Sequence, residues 1–138
     1  MSDSQLRDAR LRGGGDVRVL IVEDDALVGE LCRRVLEDEG YNCVLARTVT
    51  AARESIAYRV IHLLVADVVL PDGGTGRDLG DEMRTAGVPV IYMSGHYQAL
   101  RELTEAGIAH LQKPFRVPEL VSRVHDALLS GRPATADA

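Results

Sequence analysis

Five short apolar runs alternate along the chain with five stretches in which apolar residues recur at helical spacing. The runs fall at residues 17–22, 42–46, 61–66, 88–93 and 108–112. Within them, residues 19–22, 63–66 and 90–93 are almost continuously apolar. That pattern predicts strands covered on both faces, as in a parallel sheet. The runs at 42–46 and 108–112 are weaker and predict edge strands.

The helical stretches lie between them. Leu27, Leu31 and Val35, flanked by Val28, Cys32 and Leu36, predict a first helix that stops at Gly40. Val49, Ala52 and Ile56 predict a second, with Thr48 as its N-cap. Residues 75–86 predict a third, opened by Thr75 with Asp78 three residues on, an acidic variant of a capping box. Leu100 and Leu103 mark a weak fourth helix. Leu120, Val124 and Leu128 mark a fifth, with Pro118 in its first turn. Five such units with short connections predict an α/β domain, an open parallel five-stranded sheet with helices on both faces.

Length and composition narrow the class. A chain of 138 residues fits one domain. The first 15 residues are polar and end in three glycines, and residues 131–138 carry little core material. They read as a flexible leader and a flexible tail around a domain spanning 16–130. The net charge of −5 argues against direct contact with nucleic acid. No apolar run approaches the ~20 residues that cross a bilayer, so no membrane insertion is expected. The N-terminus has no apolar signal core, and Cys32 and Cys43 form no CxxC pair. The expectation is a cytoplasmic protein with two inert cysteines.

In open parallel sheets, ligands bind beyond the carboxyl ends of the strands. At those ends stand Glu23, Asp24 and Asp25 after the first run, Asp67 after the third, Ser94 and Gly95 after the fourth and Lys113 after the fifth. Singly, each has an ordinary reading: Asp24 or Asp25 as a helix cap, Ser94 as a turn, Lys113 as a surface charge. Together they are chemically coherent. Neighbouring carboxylates repel one another unless a cation sits among them, and Mg²⁺ or Mn²⁺ suits an all-oxygen site that also meets phosphate. A carboxylate can accept a phosphoryl group, and an ammonium and a hydroxyl opposite the metal can hold its remaining oxygens. Lys113 is the one lysine among 16 basic residues, and arginine does not replace it at a tight phosphate site.

The segments VLIVEDD, DVVLPDG, YMSG and QKPF together resemble the receiver domain of two-component response regulators, over about residues 17–130. The resemblance implies a flavodoxin-like sheet of order 2-1-3-4-5. It implies that Asp67 is the phosphoacceptor, Asp24 a metal ligand, Glu23 a ligand acting through water, and the Val69 carbonyl a backbone ligand. Ser94 matches the family's switch hydroxyl, Lys113 its lysine, and Lys113–Pro114 its cis peptide. Val69 and His96 occupy the positions that tune phosphoryl lifetime. The resemblance further implies a histidine kinase or histidine phosphotransfer protein as donor, and a downstream protein partner. On this reading the chain is a stand-alone, monomeric or weakly dimeric phosphorelay component rather than an enzyme.

The chain also departs from the family. His110 stands where a switch aromatic is usual, as either a partly buried edge-strand imidazole or a switch that also senses protonation. The stretches 67–94 and 94–113 are short, which predicts a trimmed third helix and a short or mobile fourth, with Gly73, Gly74, Gly76 and Gly95 loosening the loops. Two further readings are a receiver fragment of a hybrid histidine kinase and a degenerate receiver that only binds protein. A phosphohydrolase of the haloacid dehalogenase type needs an acid where Val69 stands. A flavin binder needs a phosphate loop where this chain has three acids.

Overall fold

A computed structural model describes residues 17–70 and 75–130. The leader and tail expected at 1–15 and 131–138 lie outside the described residues, as do Gly73 and Gly74. Strands β1 (Arg18–Val22), β2 (Asn42–Ala46), β3 (Leu63–Asp67), β4 (Val90–Ser94) and β5 (His110–Gln112) alternate with helices α1 (Ala26–Asp38), α2 (Val49–Tyr58), α3 (Gly76–Thr85), α4 (Tyr97–Glu105) and α5 (Val117–Ser130). The strands form one parallel sheet of order 2-1-3-4-5. The expected fold is the observed one.

Alternate residues of each central strand face opposite layers. Val19, Ile21, Leu63, Val65, Ile91 and Met93 pack with Cys32 and Leu36 of α1 and Leu120 and Val124 of α5. Leu20, Val22, Leu64, Ala66, Val90 and Tyr92 pack with Ala52 of α2, Leu79 and Met83 of α3 and Leu103 of α4. The apolar runs are continuous because both faces are covered.

Two strands begin and end later than their apolar runs. β3 and β4 start at Leu63 and Val90 rather than 61 and 88, and extend through Asp67 and Ser94, because Asp67 pairs with Met93 and Ser94 with Gln112. The two candidate groups therefore sit on the ladder itself. The N-caps follow expectation. Thr48 Oγ1 accepts from the Ala51 N–H at 3.0 Å, and Thr75 Oγ1 from the Asp78 N–H at 2.9 Å. Pro118 is the second residue of α5, and α4, at nine residues, is the shortest helix.

In α1 the buried face differs from the Leu27–Leu31–Val35 stripe. Gly29, Cys32 and Leu36 are buried, whereas Leu27 is 84% exposed and Leu31 46%. Gly29 lies on this buried face, where an added Cβ would meet Leu45 Cδ1 of β2 at 2.9 Å and the flexible leucine end would have to shift.

Candidate functional site

Strand β1 delivers Glu23 into the sheet's carboxyl edge, where it is 1% exposed. The chain turns immediately afterwards. Asp25 swings away to cap α1, its Oδ1 accepting from the Leu27 and Val28 N–H groups at 2.9 and 3.1 Å. Its own N–H donates to Glu23 Oε2 at 3.1 Å. Asp24 stays beside Glu23 at the surface, its carbonyl accepting from the Arg47 guanidinium at 3.2 Å. Of the three acids after β1, the structure thus brings two to the site.

Asp67 ends β3 half-buried. Its Oδ1 accepts from the Val69 N–H at 3.1 Å and its Oδ2 from the Lys113 ammonium at 2.6 Å. Lys113 also donates to Glu23 Oε1, so one ammonium bridges carboxylates from β1 and β3. Carboxylate oxygens of Glu23, Asp24 and Asp67 lie within 4.8 Å of one another, a set of hard oxygen donors that fits a divalent cation. Burial raises the Glu23 carboxyl above its usual range, more than the Lys113 and Asp25 hydrogen bonds lower it. Burial alone would lower the Lys113 ammonium, but its bonds to Asp67 and Glu23 prevail and hold it above its ordinary value. A buried carboxylate whose ionised form is disfavoured beside two other acids is a place where added positive charge is stabilising.

The Lys113–Pro114 peptide is cis. The Lys113 N–H donates to the Ser94 carbonyl at 2.8 Å, which joins the ends of β4 and β5. Ser94 is buried, and its Oγ accepts from the His96 N–H at 3.0 Å, inside the loop that leads into α4. His96 occupies the N-cap position of α4 with no side-chain cap bond, and its ring is exposed. Val69 is exposed and pairs with Thr75 in an isolated antiparallel bridge that closes the loop after Asp67.

His110 is half-buried on the edge strand. Its Nδ1 lies 2.8 Å from the Ile108 carbonyl and its Nε2 3.2 Å from Thr104 Oγ1 of α4. Burial pushes the thiols of Cys32 and Cys43 up to about 11 and about 12, in keeping with inert side chains.

Two features had little trace in the sequence. Gly76 is not a loosening residue but the buried start of α3, and a Cβ there would overlap the Asp67 carbonyl oxygen. Its position directly after the Thr75 cap was the available signal. On β4, the fully buried Tyr92 donates its hydroxyl to Asp81 Oδ1 of α3 at 2.5 Å, beneath the Arg77 guanidinium 5.3 Å from the ring centroid. A Cβ on Gly80 would collide with that ring, so a small residue lets strand and helix meet.

Comparisons with known proteins agree with this geometry. Residues 19–125 match the family model for the response regulator receiver domain. Curated relatives include the uncharacterized transcriptional regulatory protein YbdJ of Bacillus subtilis, 34% identical over 115 residues, 80% of this chain and 50% of that one. The KDP operon transcriptional regulatory protein KdpE of Escherichia coli is 32% identical over 121 residues, 86% of this chain and 54% of its own. The chain spans about half the length of these relatives. Among solved structures, the non-phosphorylated HemR receiver domain of Leptospira biflexa superimposes with a TM-score of 0.73 at 29% identity, covering 86% of this chain and 98% of that one. A CheY-like receiver domain protein of Methanospirillum hungatei gives 0.73 at 26% identity, covering 83% and 95%. No helix among the described residues is long and apolar enough to cross a membrane. The chain belongs to the family of receiver domains of two-component response regulators.

Proposed function

We propose that this receiver takes a phosphoryl group from a phosphohistidine onto the Asp67 carboxylate. An Asp67 oxygen forms the new bond to phosphorus as the phosphorus–nitrogen bond breaks, and the electron pair returns to the donor's imidazole. The observation that carries this reading is the Lys113 ammonium held between Asp67 and Glu23 beside three clustered carboxylates. Lys113 supplies a fixed positive charge next to the acceptor, and transfer of this kind depends mainly on positioning and charge neutralisation.

Asp24, Asp67 and Glu23, with the Val69 carbonyl, would hold Mg²⁺ or Mn²⁺ here. A bound divalent cation offsets the charge of the carboxylates and of the incoming phosphoryl oxygens. Ser94 then serves as the hydroxyl that turns from the His96 N–H toward the phosphoryl group, carrying the start of α4 with it. The exposed His96 ring and the apolar Val69 flank the acceptor loop as candidates for setting phosphoryl lifetime.

The donor is a histidine kinase or histidine phosphotransfer protein. Leu27 and Leu31, exposed on α1 just after the acidic turn, offer it an apolar landing. The readout is a protein partner rather than nucleic acid, since the domain is acidic. The expected result is a single phosphoryl mass gain with Mg²⁺ and a phosphodonor, absent in Asp67→Asn. A variant lacking Asp67 that still gains the phosphoryl group at full rate would overturn the assignment.

A further inference from the structure

We propose that Thr104 and His110 form a hydrogen-bond latch that holds α4 against β5 and sets the resting position of the segment after Ser94. Its role in switching rests on the phosphoacceptor reading, but its structure does not. His110 stands on β5 directly across the register from Tyr92 of β4. Tyr92 is fully buried and tied to Asp81, so a fixed aromatic ring already occupies the interior beside the imidazole. His110 is held by hydrogen bonds, to the Ile108 carbonyl through Nδ1 at 2.8 Å and to Thr104 Oγ1 through Nε2 at 3.2 Å.

The partners decide where the protons are. A carbonyl oxygen only accepts, so Nδ1 carries a hydrogen whenever this bond is made. In the neutral ring, Nε2 is then an acceptor, and the Thr104 hydroxyl donates to it. In the charged ring, Nε2–H donates to Oγ1, and the hydroxyl turns to the Leu100 carbonyl, 2.8 Å away on the same helix. One rotating hydroxyl satisfies both states without moving a heavy atom. On α4, Arg101 and Glu105 pair with each other at 3.0 Å. From β5 comes the uncharged Gln112, and from β4 Tyr92, whose hydroxyl is committed to Asp81. The latch therefore tolerates protonation rather than sensing it, and what opens it is displacement of α4.

The ring tautomer and the helix dynamics test this directly. In protein with ¹⁵N-labelled histidine, neutral His110 should be the Nδ1–H tautomer, the reverse of the form free imidazoles prefer. Amide exchange over residues 97–105 should be about fivefold faster in Thr104→Val and return to wild type in Thr104→Ser, as expected for loss of one hydrogen bond. The acceleration should appear at both pH ~6 and pH ~8, on either side of ordinary histidine titration. Thr104→Val should also bind beryllofluoride with Mg²⁺ about fivefold tighter, because the latch no longer opposes the shifted state. An Nε2–H tautomer, or wild-type exchange in Thr104→Val, would overturn the latch. Faster exchange with unchanged beryllofluoride affinity would overturn its part in switching. The tautomer and exchange readouts need no phosphoryl transfer, so a failure of the Asp67 assignment would leave them standing and is told apart from a failure here.

Discussion

Gly76 and Asp67 meet backbone to backbone: a Cβ on the glycine would overlap the Asp67 carbonyl oxygen. The Gly76 N–H meanwhile donates to the Val68 carbonyl at 3.0 Å. The first turn of α3 is thus pressed against the strand end that carries Asp67. Gly76→Ala has to push helix and strand apart, and backbone cannot yield as a flexible side chain does. The expected cost is roughly 2–4 kcal/mol of stability, with weaker Mg²⁺ binding because Asp67 shifts. Urea unfolding and a Mg²⁺ titration check both, and wild-type values in the variant would show that the close approach is dispensable.

Glu23 gives a prediction whose sign depends on the metal. Burial raises its carboxyl above the ordinary range, so the folded state holds that proton more tightly than the unfolded state does. Its contribution to stability is full below the usual glutamate range and falls as the pH rises through the raised value. Above that range and without metal, a carboxyl raised by burial contributes less to folding than an uncharged side chain of the same shape. Glu23→Gln should therefore melt higher in chelator, by about 4 °C for a change of about 1 kcal/mol. In excess Mg²⁺ the advantage should vanish, with metal affinity reduced about tenfold or more. A lower melting temperature in chelator would mean that pairing with Lys113 outweighs burial.

The Tyr92–Asp81 bond predicts a different pH response. Burial would raise the Asp81 carboxyl, but the bonds from Tyr92 and Arg77 prevail and hold it below the ordinary aspartate range. A depressed carboxyl stabilises fully above its unfolded value of ~4 and loses that contribution as the pH falls through the lower folded value. Asp81→Asn should be less stable than wild type at pH 7, and the gap should close toward pH ~3. Tyr92→Phe should lose about 1 kcal/mol at pH 7, the value of one buried hydrogen bond. Denaturant titrations at the two pH values read both effects, and a gap independent of pH would remove the ionic part of the account.

Leu27 and Leu31 separate docking from chemistry. Both are exposed, so replacing the pair with alanine should change stability by less than about 0.5 kcal/mol per site. Transfer from a phosphohistidine protein should slow roughly tenfold, as when interface contacts worth about 1.4 kcal/mol are lost. Phosphorylation by a small-molecule donor should keep its wild-type rate. Equal slowing with both donors would place the effect at Asp67 rather than on a docking face.

Much of this was legible along the chain. Continuous apolar runs identified the buried strands, Thr48 and Thr75 marked helix starts, and the acids and Lys113 marked the strand ends that gather at one edge. Each is a local signal, set by side-chain period, capping chemistry or the residue that follows a strand. The tertiary structure alone decided what faces what. Periodicity offered Leu27 and Leu31 as core, but α1 packs on the sheet through Gly29, Cys32 and Leu36, and the two leucines face outward. The sequence left Asp24 and Asp25 both open as the helix cap, and it is Asp25 that takes it. Lys113 reaches Asp67 across 46 positions and Glu23 across 90, and His110 finds Thr104 on a helix the sequence read as weak. Pattern reports the direction of a side chain within its own element, whereas a partner from another element is chosen only when the sheet closes and packing sets the angle between them.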